Sequence, residues 1–237
     1  MWERLRRRTL LLSPLAATPR AAAAAAAVDL LLVLAVDASG SVDMDRFTLQ
    51  KHGYAEAFRS PEVAAAIASG PTQAIAVTML QWTGPRLQQQ VVPWMVAHDA
   101  ASGAALADAI NAAQRVLFRG GTSISGAIDR SMQLFAAAPF TAPRQVIDVS
   151  GDGANNAGRP ADVARDDAVA AGVAINGLPI LTLEPDLDDF YRTHVIGGPG
   201  AFVIAIHSYD QFADAIRRKL VTEIASAYRS AKAFSTT

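Results

Sequence analysis

Three short polar clusters hold the residues of this 237-residue chain best suited to chemistry. The first is Asp37-x-Ser39-x-Ser41, directly after the apolar run 30–36. The second, Gly120-Gly121-Thr122-Ser123, sets a hydroxyl just ahead of a helical stretch. The third, Ser150-Gly151-Asp152-Gly153, sets a carboxylate just after a β-branched stretch. Asp37, Ser39, Ser41, Thr122 and Asp152 offer two carboxylates and three hydroxyls, with no His or Cys. Such a hard, all-oxygen set suits Mg²⁺, or Mn²⁺, in octahedral geometry with waters retained. Two carboxylates also balance the charge of one divalent ion. Asp43, Asn155 and Asn156 flank these clusters and are the candidates for a rim that meets a partner. Asp43 is equally placed to cap a helix, and the two Asn to form turns.

Other constellations are weaker. Ser39, Asp152 and His207 run in the chain order of an α/β-hydrolase triad, which makes a serine hydrolase the alternative reading. Ser39, however, lies in Ala-Ser-Gly-Ser, and no G-x-S-x-G occurs in the chain. An aspartyl phosphatase would want a second acid two residues after Asp37, where Ser39 stands. No GK[ST] is present for a P-loop. His52 and Glu56 share a helix face but lack a third ligand nearby, so they read as a solvated pair.

The elements that must position the clusters alternate along the chain. Continuous apolar or β-branched runs predict strands over 30–36, 74–82, 87–96, 145–149, 173–181 and 201–206. Helical spacing predicts helices over 44–59, 103–117, 123–137, 160–171, 186–194 and 209–229, with Asp43 as an N-cap. The 74–82 and 87–96 strands, joined at Gly84-Pro85, read as an antiparallel hairpin. The sum is an α/β sandwich: a mostly parallel sheet with one antiparallel strand at its edge and helices on both faces. All three polar clusters then fall at strand ends or at a helix start, where open α/β sheets hold their sites.

Hydrophobic residues at 51% and charged residues at 18% support one sizeable core. The net charge of −1 argues against a nucleic-acid partner. Cys is absent, which removes disulfides, thiolate metal sites and Cys nucleophiles. Five of the 21 basic residues and one of the 22 acidic ones precede residue 28. That leaves 16 against 21 in the body, a net charge of −5 behind a basic tip. The basic stretch 4–8, the apolar stretch 9–17 and the alanines 21–27 have the layout of a signal peptide, and Arg7-Arg8-Thr9-Leu10-Leu11 resembles a twin-arginine signal. We expect a leader over 1–27, one domain over 28–230, a disordered tail over 231–237, and a periplasmic or secreted location. No later stretch reaches the length of a membrane span.

The five clustered residues, in their order and strand-end placement, resemble the metal-ion-dependent adhesion site of von Willebrand factor A domains. The wider text is similar to the DUF1194 family of exported von Willebrand factor A-like proteins. The similarity rests on Val-Asp-Ala-Ser-Gly-Ser-Val-Asp (36–43), Val-Val-Pro-Trp (91–94), Gly-Thr-Ser-Ile-Ser (121–125), Val-Ile-Asp-Val-Ser-Gly-Asp-Gly (146–153), Ile-Asn-Gly-Leu (175–178) and Val-Ile-Gly-Gly-Pro-Gly-Ala-Phe (195–202). It spans about residues 29–225. The resemblance implies a non-enzymatic binding module. It implies that Ser39, Ser41 and Thr122 ligate the metal directly, that Asp37 and Asp152 do so directly or through water, and that one position stays open for a Glu or Asp carboxylate of a protein or peptide partner.

Overall fold

The computed structural model describes residues 25–233, with side chains through residue 225. The expected leader lies outside the described residues except for its last three, as do residues 234–237 of the expected tail. Ala26–Ala27 (β1) pairs in parallel with Phe140–Thr141 (β5), a two-residue clip beside the main sheet.

The main sheet is built around Leu30–Asp37 (β2), whose eight residues are all buried. A strand without alternation belongs inside a sheet covered on both faces. Ile75–Trp82 (β3) and Gln145–Gly151 (β6) flank it in parallel, and Val173–Pro179 (β7) adds in parallel to β6. Gln88–Ala97 (β4) closes the other edge antiparallel to β3, giving the order β4-β3-β2-β6-β7. Leu30, Leu32, Leu34 and Val36 face a core shared with helices Met44–Arg59 (α1), Pro61–Ala68 (α2), Ala100–Ala112 (α3) and Phe212–Ala233 (α7). Leu31, Val33 and Ala35 face a second core under Ile124–Ala136 (α4) and Ala161–Ala170 (α5). The expected sandwich, with its single antiparallel edge strand, is the fold observed.

Four details differ from the sequence reading. Ser60 caps a separate helix, α2, with Pro61 in its first turn, where no helix was expected. The third helix starts at Ala100, because Asp99 and Ser102 form a capping box, and it stops at Ala112 instead of 117. Lys51 Nζ takes the carbonyls of Asn111 and Ala113. Gln81 holds Gln114 O and the Val116 N–H, so residues 113–119 leave the helix and form no regular element. Residues 201–206 touch β7 only through isolated bridges at Val203 and Ile206. Pro179 has no N–H to donate there, which breaks the ladder. Residues 186–194 form a four-residue helix, Leu187–Phe190 (α6), running into a π-turn over Tyr191–Val195.

The chain leaves β2 toward β3 on one side and returns later with β6 on the other. The connections therefore diverge between β2 and β6, and a crevice opens at their carboxyl ends.

Candidate metal centre

Asp37 ends β2 and Asp152 follows β6 across that crevice. Val36 is in register with Ser150, so the two strands deliver their carboxylates at the same level. Gly151 permits the approach: a Cβ there would lie 2.9 Å from Asp37 Oδ2 and 3.2 Å from Trp82 Cζ2. Asp37 Oδ1 accepts the Ser39 N–H at 2.6 Å, which curls the loop so that the Ser39 and Ser41 hydroxyls sit 3.0 Å apart. Ser41 Oγ donates to Asp152 Oδ1 at 2.5 Å. Asp37, Ser39 and Asp152 are at most 2% exposed. The structure thus brings four of the five predicted residues into one hydrogen-bonded group.

Thr122 approaches from the α4 side. The Ser123 N–H donates to Thr83 O at 2.7 Å, which ties the start of α4 to the end of β3. Ser123 also caps α4 by accepting the Gly126 N–H. The Thr122 hydroxyl faces the 152–153 turn, 3.7 Å from where a Cβ on Gly153 would sit. Among the described residues it makes no hydrogen bond to the other four. Asn156 Oδ1 accepts the Thr122 N–H at 2.8 Å, and Thr122 O accepts the Asn156 N–H at 2.9 Å. Asn155 accepts the Ser125 N–H and donates to Arg159 O. Asn156, expected at the rim, is exposed and braces the Thr122 loop, while Asn155, expected there too, is half-buried and braces the start of α4. Asp43, expected there too, is exposed and caps α1 by accepting the Arg46 N–H at 2.8 Å.

Burial pushes the Asp37 carboxyl up to about 7, and the neighbouring Asp152 charge adds to the rise. Asp37 Oδ2 is buried and accepts no hydrogen bond among the described residues. A buried carboxylate beside a second one is costly unless a cation compensates it. These residues therefore fit a small, hard divalent ion, which would relieve the burial of Asp37 and its repulsion from Asp152. Hydroxyls dominate the set: among the described residues, no group of three or more His, Cys, Asp and Glu is placed to hold a metal.

Sequence reasoning missed the outer contacts. Asp152 Oδ2 accepts from Tyr209 OH at 2.9 Å and lies 3.5 Å from Arg46 Nη1. Arg46 also donates to Ser41 O at 2.8 Å, and its guanidinium lies over the Tyr209 ring. One oxygen of Asp152 is thus held by this pair, while the other faces Ser41. Burial and the Asp152 charge push the Tyr209 phenol upward, so it stays a donor. Arg115 Nη2 donates to Ala38 O and Ser39 O, both at 2.9 Å, and fixes the loop from outside. Arg46 lies three residues past the Asp43 cap, a spacing visible in the sequence. Tyr209 and Arg115 are distant in sequence and carry no local signal.

The alternative triad does not assemble. His207 is exposed, its backbone N–H donates to Gln211, and among the described residues its ring has no hydrogen bond to Ser39 or Asp152. His52 and Glu56 are both exposed on α1.

The fold is that of a von Willebrand factor A domain. A von Willebrand factor type A structure from Catenulispora acidiphila aligns with a TM-score of 0.56 at 19% identity, over 84% of this chain and 43% of that one. Proximal thread matrix protein 1 from the mussel byssus, with a zinc-occupied MIDAS motif, aligns at 0.60 and 15% identity, over 84% and 48%. The pilus adhesin SpaC from Lactobacillus rhamnosus GG aligns at 0.59 and 15%, over 84% and 30%. The chain spans about half or less of each of these structures. In sequence, residues 27–228 match the model of a protein family of unknown function, DUF1194, and the chain belongs to that family. No curated protein matches it.

Proposed function

We propose that this protein is an exported, non-enzymatic binding module that holds Mg²⁺, or Mn²⁺, among Asp37, Ser39, Ser41, Thr122 and Asp152. Its partner is a protein or peptide that offers a Glu or Asp carboxylate. One observation carries the reading: two buried carboxylates meet two serine hydroxyls at the divergence point of the sheet, and among the described residues one Asp37 oxygen accepts no hydrogen bond. The family membership and the adhesion and matrix proteins among the structural neighbours support it. The basic tip and the alanine run before residue 28 support export to the periplasm or beyond.

A bound divalent ion would supply positive charge and a coordination position open to an outside carboxylate. The chain's own residues prepare that encounter. Gly151 lets Asp37 and Asp152 approach. Gln50 Nε2 holds the Asp37 carbonyl from within the core, and Arg115 holds the next two carbonyls. Arg46 and Tyr209 keep Asp152 in place through one oxygen, so the other stays turned toward Ser41. Asp43, Asn155 and Asn156 shape the surrounding rim.

Isothermal titration of the protein with Mg²⁺, Mn²⁺ and Ca²⁺, in parallel with Asp152→Ala, tests the reading. Saturable binding that the variant loses is expected. Equal binding by both proteins, or no binding by the wild type, would overturn it.

A further inference from the structure

Seven large hydrophobic side chains are exposed among the described residues: Met44, Leu49, Leu87, Val116, Phe118, Val163 and Leu183. Five of them lie in or next to segments that adjoin the metal centre. Met44 opens α1, directly after the 37–43 loop. Leu183 precedes Glu184, whose carboxylate accepts the Ala154 N–H just past Asp152. The other three form one ledge. Val116 and Phe118 are 46% and 55% exposed and flank Leu117, one and three residues after the loop anchor Arg115. Phe118 lies over the Arg115 guanidinium, 5.0 Å from ring centre to Cζ, and that guanidinium grips the carbonyls of Ala38 and Ser39. Leu87, 42% exposed, leans over Gly120, where a Cβ would meet its Cδ1 at 2.5 Å. Isolated exposed hydrophobics are ordinary, but a cluster around one polar centre marks a contact surface.

The ledge is also positively charged. Arg86 and Arg119 are exposed, and neither pairs with an acid among the described residues. Between β4 and the 114–117 segment runs an open groove of about 480 Å³, lined by Gln89, Gln90, Val91, Gln114, Val116 and Leu117. Near the 152–153 turn stands the Glu184 carboxylate, a charge that disfavours further acidic groups of a partner there.

We propose that this ledge is a second recognition surface, and that the partner presents an extended peptide segment in which an acidic residue is flanked by large apolar ones. The metal centre takes the carboxylate, Leu87, Val116 and Phe118 cover the neighbouring apolar side chain, and Arg86 and Arg119 favour acidic sequence beyond it. The inference rests on the metal reading for the carboxylate and on the exposed side chains for the rest.

The test uses three capped peptides, Gly-Leu-Glu-Phe-Gly, Gly-Gly-Glu-Gly-Gly and Gly-Leu-Gln-Phe-Gly, titrated into the full chain with saturating Mg²⁺ and with chelator. Covering part of a Leu and a Phe side chain should tighten binding of the first peptide over the second by about tenfold. The double variant Leu87→Ser, Val116→Ser should lose that advantage while its Mg²⁺ titration stays as in the wild type, since both side chains are exposed and neither touches a loop anchor. Equal binding of the first two peptides, an advantage that survives in the double variant, or no binding of any peptide would overturn the ledge. Binding of the first and third peptides alike, without Mg²⁺ but dependent on Leu87 and Val116, would keep the ledge and overturn the metal reading.

Discussion

Replacing Asp37 by Asn removes a charge while keeping the shape of the side chain, and the structure predicts opposite results with and without metal. The carboxyl ionises near 3.8 when free and at about 7 in the fold. An acid with a raised folded value binds its proton more tightly in the native state. Native stability is therefore highest at low pH and falls as pH rises from about 4 to about 7, because the unfolded chain releases the proton first. At about 1.4 kcal/mol per pH unit, the full burden at pH 8 is about 4 kcal/mol, as an upper bound. In chelator, Asp37→Asn should be the more stable protein at pH 8, by roughly 2–4 kcal/mol, and no more stable at pH 4. For a domain of this size that is a rise in Tm of about 5–15 °C. With Mg²⁺ in excess the order should reverse, because the ion binds the native wild type and stabilises it by mass action. Thermal unfolding followed by circular dichroism, at both pH values and with both additives, reads all four numbers. A variant less stable than the wild type at pH 8 in chelator would refute the reasoning, since the fold itself would then compensate the Asp37 charge.

Three further perturbations follow from the contacts. Gly151→Ala places a Cβ 2.9 Å from Asp37 Oδ2, and should cost about 1–3 kcal/mol in urea unfolding and weaken Mg²⁺ binding. Tyr209→Phe deletes the 2.9 Å hydrogen bond to Asp152, and should cost about 1.5–3 kcal/mol by the same measurement with the fold retained. Lys219→Met removes the cation that bridges Asp148 and Glu223, all three fully buried. It should cost about 3–5 kcal/mol at pH 8 and less at pH 5, where burial helps both carboxyls to hold a proton. Urea midpoints at the two pH values check the difference.

Much of this architecture is legible in the sequence, for physical reasons that vary by element. β2 announces itself because a strand covered on both faces must be apolar throughout, and α1 because Asp43 both caps it and follows the polar loop. The end of α3 is hidden, since Lys51 and Gln81 terminate it from other elements across a sequence separation of more than 30 residues. The run 201–206 reads as a strand by composition, but its partner strand ends in Pro179. α2 carries its own signal, a Ser60 cap followed by Pro61, in a stretch too short to show helical periodicity. At the centre, the polar clusters stand out because they break the apolar pattern directly after a strand or ahead of a helix. The groups that hold Asp152 do not: Tyr209 lies 57 residues away in sequence, and only the packing of α7 brings it there. The rim shows the same limit: Asn156 braces the Thr122 loop and Asn155 the start of α4, each across 30 or more residues of sequence.

The most direct test of the metal reading is a crystal of the protein grown with Mn²⁺ and measured for anomalous scattering. The account predicts one strong peak bounded by Ser39, Ser41, Thr122 and Asp152, absent from crystals of Asp152→Ala. A map with no peak in that crevice at saturating Mn²⁺, or with its strongest peak elsewhere on the molecule, would contradict it.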